Sequence, residues 1–420
     1  MKLKPDIFGR IKKRLGIGGG AKDEIYLDSD DLAGLCNPHY ARAADTFQLL
    51  GYAAYALLIL FILGTVLLNI RDVTYENFYY FIKDFGAVSA LRDYGDSPVI
   101  YSYAEGRKYA GYKGGIVTSG DGTVTVFSAT GRKTAEFYTG YSNPVICTSS
   151  KYILVYNFGG GEYSIYNSFV RLHTGRLETP IYSAVMSDNG SFALLGSEGE
   201  YKSVIYRYNS KFEKSAAYYY NDYVTSMSLS SDGRYLLVSP VGTSSVQLSS
   251  RLLLYGERSK EPVVLDGDIS GLVLSCGVEC ETSIGGESVF YYYATADTIF
   301  VKGRGDTPQK MLLGDAELVF LDSDAGGIAA VVYDQNGYIL HIRPYKGEPT
   351  DLRLDVKVLK IKKSNNTVFL LFPDKVWRYD IKKGQSKTLP SPAGAEDIVV
   401  SSGDYIYITC ASRAVSVRFD

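Results

Sequence analysis

The side chains that carry most enzymatic and metal chemistry are scarce in this sequence. Only three histidines occur, His39, His173 and His341, whereas a histidine-based catalytic centre or a zinc site needs several at defined spacing. No Gly-x-Ser-x-Gly motif, zinc-protease motif or complete phosphate-binding loop is present. We therefore predict a protein that is not an enzyme, with no catalytic residue, metal site or cofactor.

Two cysteines lie close enough in the sequence to react with one another. Cys276 and Cys280 are separated by three residues, which is not the usual spacing of a metal-binding pair, and no second pair or nearby histidine accompanies them. In an exposed loop outside the cytoplasm, Cys276 and Cys280 could form a disulfide. Two unpaired thiols are the favoured interpretation.

Acidic and adhesion-like motifs occur, but each fits an ordinary turn. Asp266 with Asp268, and Asp322 with Asp324, have the alternate spacing of calcium ligands, yet neither pair continues into a ligand loop of the required length. We predict that both pairs lie in turns. An Arg-Gly-Asp tripeptide at 304–306 lies in a glycine-rich stretch, which likewise predicts a turn.

Tyrosine is the residue type that offers the most binding chemistry. The 37 tyrosines include two clusters, Tyr218–Tyr220 with Tyr223, and Tyr291–Tyr293. A tyrosine ring is apolar and its hydroxyl is polar, so exposed tyrosines suit the binding of sugars or peptides. Alternate residues of a strand face opposite sides, so about half of each cluster should pack in the core. We predict an aromatic binding platform formed by Tyr219, Tyr223 and Tyr292.

A fold of many short strands must position these side chains. From about Pro98 onward, short alternating runs are separated by glycine-rich turns, and the sequence contains 43 glycines. The clearest unit, Tyr223–Leu265, reads as four strands in roughly 40 residues, the size of one propeller blade. Predicted blade starts recur every 41 residues or so, and they lie near Arg107, Tyr141, Pro180, Tyr223, Ile269, Ala316, Lys357 and Ala395.

The fold class that follows is all-β, a β-propeller over residues 95–420 with seven or eight four-stranded blades, eight being favoured. The last repeat shows only three strands. Residues Pro98–Tyr103 read as a strand that could complete this repeat and close the ring, which removes exposed sheet edges. Two stacked β-sandwiches are the alternative architecture.

An uncharged apolar segment precedes the β region. Phe47–Ile70 contains no charged side chain, and as a helix its 24 residues would span about 36 Å, enough to cross the hydrocarbon of a bilayer. The segment has no polar face, and no small-residue cleavage pattern follows it. We therefore predict one uncleaved transmembrane helix at 46–70, a signal anchor whose partner is the lipid bilayer.

The distribution of basic residues predicts the orientation of this helix. Two Lys or Arg residues lie in the twenty residues after it, and eight precede it: Lys2, Lys4, Arg10, Lys12, Lys13, Arg14, Lys22 and Arg42. The positive-inside rule then places the largely disordered tail, 1–45, in the cytoplasm and the propeller outside it. The reverse orientation, with a cytosolic propeller, is the alternative. Phe78, Phe81, Ile82 and Phe85 recur at helical spacing and predict a juxtamembrane amphipathic helix at 71–92.

Several stretches carry a family likeness. They are Tyr75-Glu76-Asn77 through Phe81–Asp84, Asn143-Pro144, Lys151-Tyr152, Tyr156-Asn157 before Gly159-Gly160, Tyr163–Tyr166, and Tyr201-Lys202. With these residues the chain resembles an uncharacterised family of bacterial single-pass membrane proteins, a domain-of-unknown-function family whose propeller is related to WD40-like and quinoprotein-like folds. Asn157 departs from the Asp expected before the glycine pair. The resemblance covers the membrane helix and nearly all of the β region, and it implies an architecture but no activity.

Together these features predict a binding or sensing module at the cell membrane. The formal net charge of −2 and pI near 6.1 offer no electrostatic reason to expect a nucleic-acid partner. We expect a protein or envelope-polymer ligand on the face of an extracytoplasmic propeller in the bacterial cell envelope. The alternative is a propeller enzyme at the cell surface, either quinone-dependent or glycan-processing.

Overall fold

The computed structural model describes residues 38–68, 98–101, 103, 106–129, 131–244, 247–257, 259–283, 286–303, 307–402 and 405–419. The chain divides into two compact units, Met1–Phe78 and Tyr79–Asp420. The tail before residue 38, the predicted juxtamembrane helix at 71–92 and the Arg-Gly-Asp tripeptide lie outside the described residues.

One long helix, α1, belongs to the first unit and spans Pro38–Leu68. It begins at a proline, whose fixed φ and missing N–H suit the first turn of a helix, and so it starts N-terminal to the predicted boundary at residue 46. Within α1, the 19 residues Phe47–Thr65 have a mean hydropathy of 2.0, and none of them is buried. By length and composition, α1 can cross a membrane, and no other helix among the described residues meets that criterion.

The second unit consists of four-stranded antiparallel sheets, which we call blades. Blades 1 to 4 follow one another along the chain. Blade 1 contains β2 (Lys108–Tyr112), β3 (Gly115–Gly120), β4 (Thr123–Phe127) and β5 (Lys133–Tyr138). Blade 2 contains β6 (Pro144–Thr148), β7 (Ile153–Asn157), β8 (Glu162–Tyr166) and β9 (Arg171–Arg176). Blade 3 contains β10 (Ile181–Met186), β11 (Phe192–Glu198), β12 (Tyr201–Tyr208) and β13 (Lys214–Tyr220). Blade 4 contains β14 (Tyr223–Leu229), β15 (Leu236–Ser244), β16 (Gln247–Tyr255) and β17 (Val263–Ser270).

Blades 5 to 8 repeat the same plan. Blade 5 contains β18 (Ser275–Ser283), β19 (Gly286–Ala294), β20 (Thr298–Lys302) and β21 (Gln309–Leu312). Blade 6 contains β22 (Glu317–Asp324), β23 (Gly327–Asp334), β24 (Gly337–Pro344) and β25 (Thr350–Leu354). Blade 7 contains β26 (Lys360–Ser364), β27 (Thr367–Leu371), β28 (Lys375–Asp380) and β29 (Gln385–Pro390). Blade 8 contains β30 (Asp397–Ser402), β31 (Tyr405–Cys410), β32 (Arg413–Arg418) and β1 (Val99–Ile100).

Blade 8 closes the ring with a strand from the opposite end of the domain. Val99 of β1 pairs with Ala414 of β32, and the Val99 side chain is fully buried. The Tyr101 hydroxyl then donates to the carbonyl oxygen of Cys410 at 2.8 Å. These contacts confirm the predicted eight blades and the predicted closure by residues 98–103, which leaves the ring without an open edge.

The predicted blade starts agree with the observed first strands within three residues at seven of the eight positions. The exception is Ile269, which lies inside β17, whereas blade 5 begins at Ser275. The error arises because β17 extends to Ser270, beyond Leu265, where the predicted four-stranded unit ends. Two register shifts, between Ser250 and Leu252 and between Leu252 and Leu253, accompany this longer pairing of β16 with β17.

The core lies between neighbouring blades. The first strands of adjacent blades lie against one another around the centre, as β2 and β6, β14 and β18, and β22 and β26 do. Both faces of a blade are therefore covered, and the second strands β3 and β27 are buried along their whole length. This double coverage explains why such strands read as continuous apolar runs and show little alternation.

Turns at one end of the blades bind each other around the ring. We call the side on which the first strand of each blade begins the upper face, and the side on which it ends the lower face. On the lower face, the Ser150 N–H donates to Asp188 Oδ1 at 2.7 Å, and the Asp188 N–H donates to the Ser231 carbonyl at 2.9 Å. The Ser231 hydroxyl donates to Glu279 Oε2 at 2.7 Å. The turns thus couple blades 2, 3, 4 and 5.

The two aspartate pairs are in strands, so the prediction that they form turns is wrong. Asp266 and Asp268 lie in β17, and Asp322 and Asp324 lie in β22. Asp324 binds the ammonium of Lys363, whose side chain is fully buried, while Asp322 accepts the Lys363 N–H at 2.7 Å. Desolvation raises the pKa of Asp322. The second pair therefore joins blade 6 to blade 7, a pairing across blades that local spacing does not reveal.

Arg207 is the largest fully buried side chain of the described residues, and it joins blade 3 to blade 4. From β12, its Nη1 donates to the Gly256 carbonyl at 2.8 Å, and its Nη2 donates to the carbonyls of Gly233 and Arg234 at 2.8 and 2.9 Å. Gly233 has φ +75° in the turn between β14 and β15, a conformation that favours glycine and that turns its carbonyl inward. A single guanidinium thus satisfies three carbonyl groups, one of them buried and two partly buried.

Replacing Arg207 with Met should destabilise the propeller by about 3 kcal/mol or more, because one buried and two partly buried carbonyls would lose their charged donor. Denaturant unfolding of the purified chain measures this change. Arg176→Met is the matched control: the Arg176 side chain is 78% exposed, and its ion pair with Glu162 at 3.8 Å should contribute less than about 1 kcal/mol. Equal stabilities for the two variants would contradict the assigned role of Arg207.

Candidate functional site

An exposed group of aromatic side chains occupies the upper face of blades 3 and 4. Its tyrosines remain substantially open to solvent, with relative exposures of 45% for Tyr182, 43% for Tyr201, 47% for Tyr219 and 61% for Tyr223. With the neighbouring Lys202, these four residues form what we call the tyrosine patch. Each is held at the end of a strand, so the patch has a rigid backbone beneath it.

Strand geometry explains why these rings point outward. A register shift between Ile181 and Ser183 places Tyr182 in a β-bulge, a feature that commonly redirects a side chain. Tyr201 begins β12 and Tyr223 begins β14, so both lie where coverage by the neighbouring blades ends. Tyr219 lies between Tyr218 and Tyr220, which are both buried, as the alternation of a strand requires.

Two pairs of side chains within the tyrosine patch are in contact. The ring centroids of Tyr201 and Tyr219 are 5.0 Å apart at an interplanar angle of 52°. Lys202 Nζ lies 5.2 Å from the centroid of the Tyr223 ring, a cation–π geometry. A cavity of about 460 Å³ opens between the blades beside Lys202 and Tyr223. It is lined by Tyr182, Leu195, Ser197, Lys202, Ser203, Tyr223 and Val224.

The structure exposes Tyr219 and Tyr223 but buries Tyr292, so the predicted platform of these three residues is wrong in one member. Tyr292 is 2% exposed and packs between blades 5 and 6, where its hydroxyl lies 3.0 Å from Ser275 Oγ and 2.7 Å from Ser323 Oγ. Burial raises the pKa of Tyr292 to about 12. A single strand pattern cannot reveal that a blade is covered on both faces, which is why Tyr292 was misassigned.

The sequence did not identify three members of the tyrosine patch as site residues. They are Tyr182, Tyr201 and Lys202. Tyr182 and Tyr201 lie about twenty residues apart, in different strands of blade 3. Because they are isolated tyrosines, no local cluster singles them out. The feature that they share is positional, since all four tyrosines lie near the upper ends of their strands.

A second concave region lies on the lower face and spans blades 4 to 7. This lower-face cavity has a volume of about 630 Å³. Its lining includes Ser231, Glu279, Cys280, Glu281, Phe290, Tyr345, Lys346, Glu348 and Lys382. Phe290 and Tyr345 stack at 5.7 Å with an interplanar angle of 20°. Both rings are at most 4% exposed, and they form an aromatic floor.

Charged side chains surround this floor. Lys346 Nζ lies 2.6 Å from Glu281 Oε2 and 5.8 Å from the centroid of the Phe290 ring. Glu279 accepts hydrogen bonds from the Ser231 hydroxyl at 2.7 Å and from the Ser231 N–H at 3.3 Å. Burial raises the pKa of Glu279, and the Ser231 hydrogen bonds oppose that rise without cancelling it.

Cys276 and Cys280 are free thiols, as the favoured interpretation of the sequence had it, and the possible disulfide between them does not form. Both lie in β18, where an extended backbone rising about 3.3 Å per residue holds their Cα atoms roughly 13 Å apart, far beyond disulfide reach. Cys280 instead donates to Glu287 Oε1 at 3.1 Å, and Glu287 pairs with Arg234 at 2.6 Å. Burial and the hydrogen bond to Glu287 raise the pKa of Cys280 to about 12.

Potential metal ligands are dispersed. His173 lies in β9 of blade 2 and His341 in β24 of blade 6, where it binds Asp351 at 2.7 Å. Within the described residues, no group of three or more His, Cys, Asp or Glu side chains could hold a metal ion.

We predict that Cys280 reacts slowly with iodoacetamide in the folded protein. With a pKa of about 12, only about a thousandth of this thiol is ionised at pH 9, against more than half of an unperturbed cysteine. Mass spectrometry of the peptide that contains Cys280 should show alkylation at least tenfold slower than in the unfolded chain. Glu287→Gln should accelerate the reaction by lowering the Cys280 pKa, whereas Glu136→Gln, remote in blade 1, should not. An unaltered rate in Glu287→Gln would contradict this role of Glu287.

Comparisons with known proteins agree with this architecture. Residues 90–262 match a protein family described as a family of unknown function, DUF5711. Over that stretch, the match confirms the resemblance to a domain-of-unknown-function family. No curated protein matches the sequence significantly.

Solved structures share the fold at low sequence identity. Sqt1 of Saccharomyces cerevisiae is similar with a TM-score of 0.54 and 11% identity, over 78% of this chain and 98% of that one. BamB of Moraxella catarrhalis has a TM-score of 0.49 and 12% identity, over 77% and 99% of the respective chains. The β-propeller domain of Cps50 (Swd1) from Myceliophteria thermophila has a TM-score of 0.43 and 14% identity, over 70% and 99%. The similarity to Sqt1 supports the shared fold, and at identities this low none of these structures carries information about ligands.

Proposed function

We propose that this chain is a non-catalytic, membrane-anchored propeller that binds a protein at the cell envelope through the tyrosine patch. The observation that carries the proposal is the exposure of four tyrosine rings on one face, together with Lys202 and an adjoining cavity. Exposed aromatic residues that adjoin one another are characteristic of interaction sites, whereas isolated ones are common on any surface. Propellers are suited to this role because their strand ends form a rigid surface.

The chemistry of the tyrosine patch favours a protein ligand over a polymer of sugars. Tyrosine contributes a large contact area with few rotatable bonds, which is why it is enriched at the energetic centres of protein interfaces. Lys202 lies over Tyr223, and beside it Arg251 pairs with Asp222 at 2.6 Å. This surface suits a partner segment that places an acidic side chain next to apolar ones.

Photo-crosslinking in the cells that produce the protein tests this proposal. Replacement of Tyr201 by the photoreactive residue p-benzoylphenylalanine should yield one dominant adduct with a protein. The double substitution Tyr219→Ala and Tyr223→Ala should reduce that adduct about tenfold or more, as the loss of interface hot spots does. Tyr138→Ala is the matched control, because Tyr138 is 77% exposed on the upper face of blade 1.

Three outcomes would count against a protein ligand at the tyrosine patch. Adducts that consist of carbohydrate would assign the surface to an envelope polymer. Adducts that persist unchanged in the double variant would place the partner elsewhere on the propeller. An equal loss of the adduct in Tyr138→Ala would show that the effect does not depend on where on the propeller the exposed tyrosine lies.

We infer that α1 anchors the chain and that the propeller lies outside the cytoplasm. Support comes from the 19-residue apolar stretch Phe47–Thr65 and from the excess of Lys and Arg before it. The full-length chain should sediment with membranes and resist carbonate extraction, while a chain lacking residues 46–70 should remain in the supernatant.

Orientation is tested with epitope tags at the two termini. In intact cells, external protease should remove the C-terminal tag and spare the N-terminal one, since only the C-terminal side is expected outside the cytoplasm. The opposite result would assign the propeller to the cytosol, and full protection of both tags would show that neither terminus faces outward.

A cell-surface propeller enzyme, quinone-dependent or glycan-processing, is the second candidate function. The observation that favours it is Glu279, a carboxyl group with a raised pKa that lines the lower-face cavity, as general acids in active sites do. Glu281 lies two residues further along β18 and pairs with Lys346, so two carboxyl groups occupy different surroundings there. Release of reducing ends from envelope glycans that Glu279→Gln abolishes would establish the enzyme and exclude the binding module.

A further inference from the structure

The lower-face cavity brings carboxyl groups and an aromatic ring to the same side of blade 5. Glu279 and Glu281 are two residues apart in β18, so they project from one face of the strand. Phe290 pairs directly with Glu279 across to β19, and directly paired residues of antiparallel strands share a face. Tyr345 of blade 6 stacks on Phe290 from the other side. The cavity therefore combines negative charge with a ring surface.

The chain's own Lys346 demonstrates which chemical group fits these surroundings. Its ammonium contacts Glu281 at 2.6 Å and lies 5.8 Å above the ring of Phe290, so it uses both a carboxylate and a ring face. The Lys346 side chain is 46% exposed, which places this ammonium at the mouth of the cavity. An ammonium ion is thus already recognised here, at one of the two glutamates.

The other glutamate has hydrogen-bond donors but no cation. Ser231 supplies the hydroxyl and N–H donors to Glu279, and within the described residues Glu279 forms no ion pair. The charged group that acts on it most clearly is Asp232, which is also negative. Partial burial of a carboxylate without a cation is unfavourable, so a positively charged ligand that enters the cavity offsets that cost.

We propose that the lower-face cavity binds the ammonium group of a ligand, with Glu279 as its charged partner and the Phe290–Tyr345 stack beneath it. The ligand carries an alkyl chain that covers the aromatic floor and ends in a primary amine. Two sources share this chemistry, a free alkylamine and the lysine side chain of a partner protein. Lys346 competes with the ligand because it occupies Glu281, the second carboxylate of the cavity. This proposal is independent of the tyrosine patch on the upper face.

Calorimetric titration of the full-length chain in detergent tests the proposal with two probes. Cadaverine represents a free amine, and N-acetyl-lysine N-methylamide represents a lysine of a protein. Both should bind with a stoichiometry of one, and 1,5-pentanediol, which has the length of cadaverine without its charges, should not bind. The probe that binds more tightly identifies the source.

Matched substitutions separate a specific site from general electrostatics. Glu279→Gln retains an acceptor for Ser231 but loses the charge, and it should weaken probe binding about tenfold or more. Glu348→Gln changes the net charge equally on the rim of the same cavity, and it should alter affinity less than about twofold. Lys346→Met should strengthen binding severalfold by removing the competing ammonium from Glu281, while Lys382→Met should leave the affinity unchanged.

Several results would overturn the assignment. Absence of saturable binding of both probes is one, and equal binding of the uncharged diol is another. Equal losses in Glu279→Gln and Glu348→Gln would mean that only the overall charge matters. If Glu279→Gln lowers the thermal midpoint of unfolding, the affinities of Lys346→Met and Lys382→Met decide instead, because neither lysine contacts Ser231. Weaker probe binding in Lys346→Met would then refute the competition that the proposal requires.

Discussion

Burial of blade faces against neighbouring blades is the physical constraint on which this structure depends. A four-stranded sheet with two apolar faces is stable in water only when both faces are covered, and a closed ring achieves that for every blade. The core clusters accordingly lie between blades, as the group around Leu236 and Tyr218 does between blades 3 and 4. Polar links follow the same junctions, with Arg207 joining blades 3 and 4 and Lys363 joining blades 6 and 7.

This constraint also determines where binding surfaces can form. Side chains in the middle of a blade are enclosed on both sides, so only residues near the strand ends meet solvent in numbers. The tyrosine patch lies at the upper ends of strands in blades 3 and 4, and the lower-face cavity lies among turns of blades 4 to 7. Because the ring supports both regions rigidly, a ligand loses little by ordering them on binding. The two faces can therefore hold different ligands independently.

The errors of the sequence analysis share one cause. A possible disulfide placed Cys276 and Cys280 in a loop, and Asp322 and Asp324 were predicted in a turn, but these four residues lie in strands. Tyr292 was predicted on the surface, but it is buried between blades 5 and 6. Acidic or adjacent polar residues indicate a turn only when they do not have partners elsewhere. Here the partners are supplied by other strands and blades: Glu287 for Cys280, Lys363 for Asp324 and Ser323 for Tyr292. Such contacts join different strands and leave no local pattern.

The sequence by itself determined the apolar helix, the four-stranded repeat, the eight blades and the closing strand at Val99, because these features rest on local hydrophobic pattern and turn chemistry. It also indicated that Tyr219 and Tyr223 could face solvent. Only the tertiary structure decided which side chains lie together. It assembles the tyrosine patch from strands β10, β12, β13 and β14, and it places Glu279 beside Ser231 and the Phe290–Tyr345 stack. The reason is that the curvature of the ring and the register of neighbouring blades set those distances, and both are properties of the whole closed ring of blades.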